Sequence, residues 1–207
     1  MEDTAAYHRM RELLEDQGPN KIYQAWKRLD VLGQRPTEER FRIYGLDHLI
    51  GPETAVLDLG CNVGFMSLKC AERARVVHGV DRYAHWIEIA RLAAVAVGAE
   101  NAFFWNCQAE GFGEPAQYEL ILSLSFHHWS EDGFRHRAKT LYERFIAPGG
   151  HLLFESHKLS AREPFEEYSK ILQDDHGFEL VESGTINCAT TYPRPNPLRK
   201  WHLLKSE

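Results

Sequence analysis

From Thr54 onward, short strand-like runs alternate with stretches of helical periodicity, and this alternation restricts the fold more than any other feature of the chain. Runs rich in β-branched and aromatic residues, typical of strands, lie at 55–59, 75–80, 102–107, 118–124 and 151–156. Helical periodicity occupies residues 64–73, 84–97 and 132–146. The pattern therefore predicts an α/β domain in which helices cover both faces of a parallel sheet.

The last part of the chain follows a different pattern. After a further predicted helix near 162–175, two strand-like runs at 178–185 and 199–205 are joined by a Pro-rich loop with no helical crossover. Antiparallel neighbours need no crossover. We therefore expect seven strands, mostly parallel, with an antiparallel last strand.

Residues 1–50 precede the alternating region and are expected to form a helical cap or lid within the same domain. Two amphipathic helices are predicted over 4–16 and 20–31, separated by a Gly-Pro turn, and a third begins after Pro36. A chain of 207 residues suits one domain. We therefore divide it into an N-terminal segment, 1–50, and a main domain, 51–207.

Charge and hydropathy restrict the partners. The formal net charge of −6 argues against nucleic-acid binding through an overall basic field. No apolar run approaches the roughly 20 residues of a membrane helix, and the acidic start of the chain is unlike a secretory signal. The four cysteines form no metal-ligand spacing. These features predict a cytoplasmic protein that contacts no membrane and holds no zinc.

The stretch VLDLGCNVGFMSL, residues 56–68, joins the first predicted strand to a helix through a Gly-rich turn. Gly60 and Gly64 allow a positive φ or a close approach of a ligand to the main chain. A turn of this kind serves packing as often as binding. The next strand ends at Asp81, where a carboxylate can accept both hydroxyls of a ribose. The two features together predict a nucleoside-bearing ligand.

Four ordered segments, VLDLGCNVG, GVDRYAHWIEIAR, YELILSLSFHHW and FIAPGGHLLFES, resemble the class I S-adenosylmethionine-dependent methyltransferases. The resemblance covers residues 54–157 and implies their Rossmann-like, seven-stranded methyltransferase sheet and their cofactor, S-adenosyl-L-methionine. A dinucleotide-binding domain is the rival reading. It favours G-x-G-x-x-G, whereas residues 60–64 read G-x-x-x-G.

The resemblance also implies which residues hold the cofactor. Those expected around its methionine and ribose are Asp58, Gly60, Cys61, Asn62, Gly64 and Asp81. Those expected beside the adenine are Arg82, Tyr83, Gln108 and Ala109, with Glu110 a weaker positional match than Gln108. Ser125, at the end of the fourth strand of the parallel region, completes the predicted set.

The acceptor is expected at the carboxyl ends of the strands, beside Ser125 and the His-His-Trp sequence that follows Phe126. An imidazole suits general-base work at neutral pH, so His127 or His128 is the candidate catalytic base. The alternative is that these histidines only line the pocket. The predicted substrate-binding residues are Trp129, Glu155, His157, Arg35 and Tyr192.

Alternation along the fifth strand points Glu155 and His157 to one face, which could suggest a metal site. The small-RNA 2′-O-methyltransferases that resemble this fold use a metal through the pattern Glu-x-x-Glu-His. That pattern is not present in this chain. We expect no metal, and a polar substrate pocket is the better account.

Within the superfamily, the motifs look most like the bicoid-interacting type of RNA phosphate methyltransferases and, more loosely, the tRNA wobble-uridine carboxymethyl-transfer enzymes. The compact HHWSEDG replaces the Thr-Lys-Trp segment and insertion of the first group. Together with the acidic net charge, this favours a small or mid-sized acceptor, with oxygen ahead of nitrogen. RNA is the second choice, a non-catalytic S-adenosylmethionine-binding subunit is the third, and the oligomeric state stays open.

Overall fold

The computed structural model describes residues 4–16, 22–113, 116–126, 131–156, 164–187 and 198–207. Helix α1 (Thr4–Glu15) begins the described chain and buries Ala6, Met10, Leu13 and Leu14, as an amphipathic helix should. Two short strands, β1 (Gln24–Ala25) and β2 (Arg35–Pro36), then pair in parallel. Helices α2 (Thr37–Ile43) and α3 (Leu46–Leu49) complete the N-terminal segment.

The predicted helix over 20–31 is wrong. The described part of this stretch holds β1 and a short 3₁₀ turn at Lys27–Leu29, which ends at Asp30 with a φ of 51°. Trp26 pairs instead with Val31 through two backbone hydrogen bonds of 2.9 and 3.1 Å. The apolar spacing that suggested a helix anchors a tight hairpin-like loop, in which Trp26 and Leu29 are both buried. Tertiary contacts have overridden local periodicity here.

Seven strands of the described chain form one sheet in the order β5-β4-β3-β6-β7-β9-β8. They are β3 (Ala55–Leu59), β4 (Val76–Asp81), β5 (Ala102–Asn106), β6 (Tyr118–Leu124), β7 (Ile146–Glu155), β8 (Phe178–Ile186) and β9 (Arg199–Ser206). All neighbours from β5 to β7 are parallel, and β9 runs antiparallel to both β7 and β8. This confirms the predicted fold class.

One strand begins earlier than predicted. The partner of Tyr118 on β7 is Ile146, but the partner of Leu120 is already His151. The Pro-Gly-Gly sequence is therefore an irregularity inside β7, where Gly149 has a φ of 70°.

Helices cover both faces of the sheet. They are α4 (Phe65–Ala71), α5 (Ala84–Val97), α6 (Glu131–Arg137), which continues into a π-helical turn at Ala138–Glu143, and α7 (Phe165–His176). Val56 of β3 packs into the core formed with α1, α4 and α5. Its neighbours Ala55 and Leu57 belong to the opposite core, formed with the π-helical turn and α7. The side chains of β3 thus alternate between two apolar layers.

Strands β3 to β7 are parallel, so their carboxyl ends share one edge of the sheet. Asp81, Ser125 and Glu155 all lie at this edge, at or just after a strand end. The fold therefore gathers polar side chains from separate strands at one place.

The N-terminal segment packs against the same domain through α1 on α5 and α2 on α4. None of the described helices has the length and apolar character needed to span a bilayer.

Candidate functional site

The turn between β3 and α4 requires backbone conformations that few residues adopt. Gly60, Asn62 and Gly64 have φ values of 72°, 55° and 73°. A Cβ on Gly60 would lie 2.6 Å from Cδ2 of Phe126, and one on Gly64 would lie 2.7 Å from Cε1 of Phe104. Both glycines are therefore required by conformation and by space.

Asp81, at the end of β4, is fixed by two backbone amides. Its Oδ2 accepts a hydrogen bond of 3.0 Å from the N–H of Asn62, and its Oδ1 accepts one of 2.9 Å from the N–H of Tyr83. Each carboxylate oxygen can accept a further hydrogen bond. Asp81 thus links the Gly-rich turn to the start of α5 and still presents acceptor capacity to a ligand.

A cavity of about 460 Å³ opens beside Asp81. Seven of the predicted cofactor residues line it: Gly60, Asp81, Arg82, Tyr83, Gln108, Ala109 and Ser125. A larger cavity, about 540 Å³, lies along α5 and β5 and is lined by none of the predicted site residues.

The cavity wall mixes exposed and buried groups on its β4 and β5 sides. Tyr83 is half exposed, and the Arg82 guanidinium stacks 4.7 Å from the centroid of its ring. Gln108 is exposed and Ala109 is buried at the start of a 3₁₀ turn. Glu110 is held instead by Arg137, with 3.0 Å between Arg137 Nε and Glu110 Oε1. Gln108 and Glu110 are the two candidates for the adenine contact after β5, and of these only Gln108 lines the cavity.

The other four predicted cofactor residues, Asp58, Cys61, Asn62 and Gly64, do not line the cavity. Asp58 is buried and accepts a 2.6 Å hydrogen bond from Ser67 Oγ. Burial raises the pKa of Asp58 to about 6, although the Ser67 hydrogen bond opposes the shift. Burial also raises the pKa of the Cys61 thiol, which therefore stays protonated at neutral pH. Within the described part of the chain, the buried Oδ1 of Asn62 has no hydrogen-bond partner.

Two residues that support the site belong to no sequence motif: Arg137, which lines the cavity, and Gln24, which holds the Gly-rich turn. Arg137 donates a 2.8 Å hydrogen bond to the Phe126 carbonyl and stacks 4.6 Å from the centroid of its ring. Both residues line the cavity, and the Phe126 ring lies against Gly60. The second residue is Gln24 on β1, whose side-chain Oε1 accepts the N–H of Phe65 at 2.8 Å. Its only sequence signal is a polar residue between apolar ones, and so it was missed.

Glu155 lies at the end of β7 with no solvent exposure and a full set of protein partners. Arg199 Nη1 lies 2.6 Å from Oε1, Arg40 Nη2 lies 3.3 Å from Oε2, and the Tyr44 hydroxyl donates to Oε2. Ser125 Oγ also donates to Oε1, at 2.7 Å. Burial alone would raise the pKa of Glu155, but the charges of Arg40 and Arg199 lower it to about 2.

Glu155 does not line the cavity, so its predicted contact with substrate stays a prediction. The predicted residue Arg35 is buried near this group, where burial and the charge of Arg199 lower its pKa. Five predicted residues lie outside the described part of the chain: His127, His128, Trp129, His157 and Tyr192.

Comparison with known proteins finds a family match over part of the chain. Residues 56–150 match the methyltransferase domain family. The ubiquinone biosynthesis O-methyltransferase of Leptothrix cholodnii is 24% identical over 149 residues, covering 70% of this chain and 60% of that protein. Its counterpart in Pseudomonas fluorescens is 26% identical over 164 residues, covering 77% of this chain and 67% of that protein. The chain thus spans about 60% of the length of the first of these relatives.

Solved structures show the same fold. N-methyltransferase NodS from Bradyrhizobium japonicum, in complex with S-adenosyl-L-homocysteine, aligns with a TM-score of 0.66 and 20% identity over 97% of this chain and 98% of that one. Magnesium protoporphyrin IX methyltransferase from Synechocystis, with bound S-adenosylmethionine, aligns with a TM-score of 0.60 and 17% identity, covering 83% and 78% of the two chains.

The residues present fit such a cofactor. Asp81 offers free acceptor positions for a ribose, and the buried Asn62 Oδ1 lacks a donor among the described residues. Solved methyltransferases of the same fold hold S-adenosylmethionine or S-adenosyl-L-homocysteine. Residues 56–150 match the methyltransferase domain family, and the chain has the fold of the solved methyltransferase structures.

Proposed function

We propose that this protein transfers a methyl group from S-adenosylmethionine to an oxygen atom of a small or mid-sized acceptor. The observation that carries the proposal is the Asp81 carboxylate, held by two backbone amides at the wall of a cavity that also contains Gly60. The names of the curated relatives, which are O-methyltransferases, support oxygen over nitrogen.

In this proposal, the cofactor supplies a methyl group that its sulfonium has already activated. The chain then has to orient two reactants. Asp81 accepts the ribose hydroxyls, while Arg82 and Tyr83 border the adenine beside Gln108 and Ala109. Asp58 on β3 and Cys61, Asn62 and Gly64 in the turn do not line the cavity, and in this proposal they fix the shape of the turn beside the methionine.

The acceptor approaches from the side of Ser125 and Phe126, where the cavity reaches the end of β6. A hydroxyl acceptor must lose a proton, and His127 or His128 is the proposed base because both directly follow Phe126 in the chain. We expect His127→Ala or His128→Ala to lower kcat while the affinity for S-adenosylhomocysteine stays within about twofold. Full turnover in both variants would remove the histidines from the chemistry.

Calorimetry with S-adenosylhomocysteine tests the cofactor site. Asp81→Ala should weaken binding by about 1 to 3 kcal/mol, the cost of losing hydrogen bonds to a charged acceptor. Asp174→Ala removes an exposed carboxylate on α7, outside the cavity, and should bind as the unchanged protein does. Equal affinity in all three proteins would mean that the ribose lies elsewhere, and binding of NAD instead would refute the family's cofactor for this chain.

Transfer of radiolabelled methyl groups tests the acceptor. The protein is incubated with labelled S-adenosylmethionine and either a metabolite extract or an RNA fraction from its native host. Label is expected in a small molecule, where the chemical shift of the new methyl carbon separates an O-methyl from an N-methyl product. Label in RNA alone would overturn the small-acceptor proposal. Tight cofactor binding with label in neither fraction would favour a non-catalytic subunit.

A further inference from the structure

Among the described residues, the group around Glu155 holds two arginines and one carboxylate. The guanidinium groups of Arg40 and Arg199 both contact this carboxylate, and both arginines are at most 4% exposed. We call Arg40, Arg199 and Glu155 the arginine cluster. Among the described residues, Glu155 is the only carboxylate that either Arg40 or Arg199 contacts.

An excess of buried positive charge is costly. Removing a charged group from water costs several kcal/mol unless an opposite charge and hydrogen bonds compensate it. Arg199 shows incomplete compensation, because its buried Nε has no hydrogen-bond partner in the described chain while its Nη1 is shared among Glu155, Ser125 and Tyr23. Among the described residues, one donor of Arg199 is therefore unused and the two arginines share one carboxylate.

The cluster adjoins the cofactor cavity through one side chain. Ser125 lines the cavity, and its Oγ donates to Glu155 and accepts from Arg199 Nη1. The guanidinium of Arg199 is thus one hydrogen bond away from the cavity wall. Ser125 and Tyr23 are the least buried residues bonded to Arg199, so they mark the side from which a ligand can approach.

Several chain segments meet at the same place. Ser125 Oγ also lies 3.0 Å from the Ser156 carbonyl oxygen, and the N–H of Lys200 donates to Ser156 Oγ at 3.0 Å. The ends of β6 and β7 and the start of β9 therefore converge on the arginine cluster. This is the acceptor side of the proposed reaction, since it lies at the carboxyl ends of β6 and β7 beside the cavity.

We propose that the methyl acceptor carries an oxyanion, a carboxylate or a phosphate monoester, that pairs with Arg199 beside Ser125. This inference rests on the function proposed above. The planar guanidinium presents N–H donors in a fork that matches both oxyanions, and an anion there would balance the arginine cluster. The methyl-accepting oxygen would then lie on the cavity side of that anion.

The test measures the binding of benzoate, phenyl phosphate and the uncharged benzamide to the full chain by calorimetry, with and without S-adenosylhomocysteine. We expect at least one of the two anions to bind about tenfold more tightly than benzamide. The better anion identifies the oxyanion. Equal affinities for all three probes would overturn the inference.

Variants of Arg199 test whether the preference for an anion over benzamide depends on this residue. Arg199→Gln should abolish the preference for the anion, whereas Arg9→Gln, which changes an exposed arginine on α1, should leave it intact. Should Arg199→Gln not fold, Arg199→Lys keeps the charge beside Glu155 but removes the fork, and it should lower the preference several-fold. A full preference in either Arg199 variant would place the anion elsewhere.

The same titrations separate this inference from the proposed function. If S-adenosylhomocysteine binds and the probes show no preference, the oxyanion site fails and the methyltransferase stands. If S-adenosylhomocysteine does not bind, the methyltransferase proposal fails, and the comparison of benzoate with benzamide still decides the oxyanion site.

Discussion

Gln24 and Cys61 are 37 residues apart in sequence, yet the Gln24 side-chain amide donates a 3.1 Å hydrogen bond to the Cys61 carbonyl. The other end of the same amide accepts the N–H groups of Phe65 and Met66, at 2.8 and 3.3 Å. One buried side chain from the N-terminal segment thus satisfies three backbone groups of the Gly-rich turn and the first residues of α4. It takes the place of an N-cap side chain, which Gly64 cannot provide.

Gln24→Ala should therefore loosen the Gly-rich turn. We expect the free energy of unfolding to fall by about 1 to 3 kcal/mol, because buried backbone groups lose their partners. The affinity for S-adenosylhomocysteine should fall as well. Urea denaturation and calorimetry measure the two effects. Gln173→Ala, on α7, removes a side chain that bonds Ser169 within its own helix and should change neither quantity appreciably. Unchanged cofactor affinity in Gln24→Ala would restrict Gln24 to a structural role.

Gly60→Ala tests whether the turn tolerates a side chain. The positive φ costs about 1 to 2 kcal/mol, and the new Cβ would meet the Phe126 ring at 2.6 Å. Two other glycines serve as controls that separate the cost of the positive φ from the cost of the steric clash. Gly45 has a φ of 63° but open space around its Cβ position, and Gly111 has neither constraint. Unfolding free energies should fall most for Gly60→Ala, less for Gly45→Ala and least for Gly111→Ala. Phe126→Ala in the Gly60→Ala background should recover part of the loss, and no recovery would mean that the ring is not the obstacle.

Asp58 predicts a specific dependence of stability on pH. Its pKa in the folded protein is about 6, above the value of about 3.9 in an unfolded chain. The stability that it contributes is therefore fully present below about pH 4 and is lost as pH rises through 6. Asp58→Asn should remove this dependence and gain up to about 3 kcal/mol on the parent between pH 4 and 7. Denaturation series across this range measure the difference. Asp174→Asn should follow the parent, and a parallel curve for Asp58→Asn would mean that Asp58 is not protonated in this range.

Glu155 predicts the opposite dependence. Its pKa in the folded protein is about 2, below its unfolded value, so its stabilisation is present above about pH 4.5 and is lost as pH falls through 2. Glu155→Gln keeps the shape but leaves Arg40 and Arg199 without their carboxylate, which should cost about 3 to 5 kcal/mol at pH 7. Glu179→Gln, on the exposed face of β8, is the control and should behave as the parent in urea. A cost no larger than that of the control would show that the ion pairs contribute little.

The sequence allowed the main sheet to be predicted because its strands are short and apolar, and because a helix follows each of β3, β4, β6 and β7. Strand β6 was predicted with its observed bounds, and α5 likewise, since their periodicities are long and uninterrupted. The Gly-rich turn and Asp81 were also predictable, because a positive φ favours glycine and an acid at a strand end stands out.

Contacts between distant segments could not be predicted. The helix predicted over 20–31 includes Gln24, whose partners in the Gly-rich turn have no local signature. The contacts of Arg137 could not be predicted for the same reason, since only the fold brings it to Phe126 and Glu110. Glu155 was recognised as important, but the alternation of its strand could not show that Arg40 and Arg199 would enclose it.

Ser125 has a φ of 61°, and its hydroxyl lies between Glu155 and the cavity beside Asp81. In the proposed complex, a ligand that draws Arg199 away from this hydroxyl changes a group that the cofactor also meets. The binding free energies of cofactor and acceptor are then coupled, and reciprocity requires each ligand to change the affinity of the other by the same factor. That factor can be measured as the change in affinity for one ligand when the other is already bound.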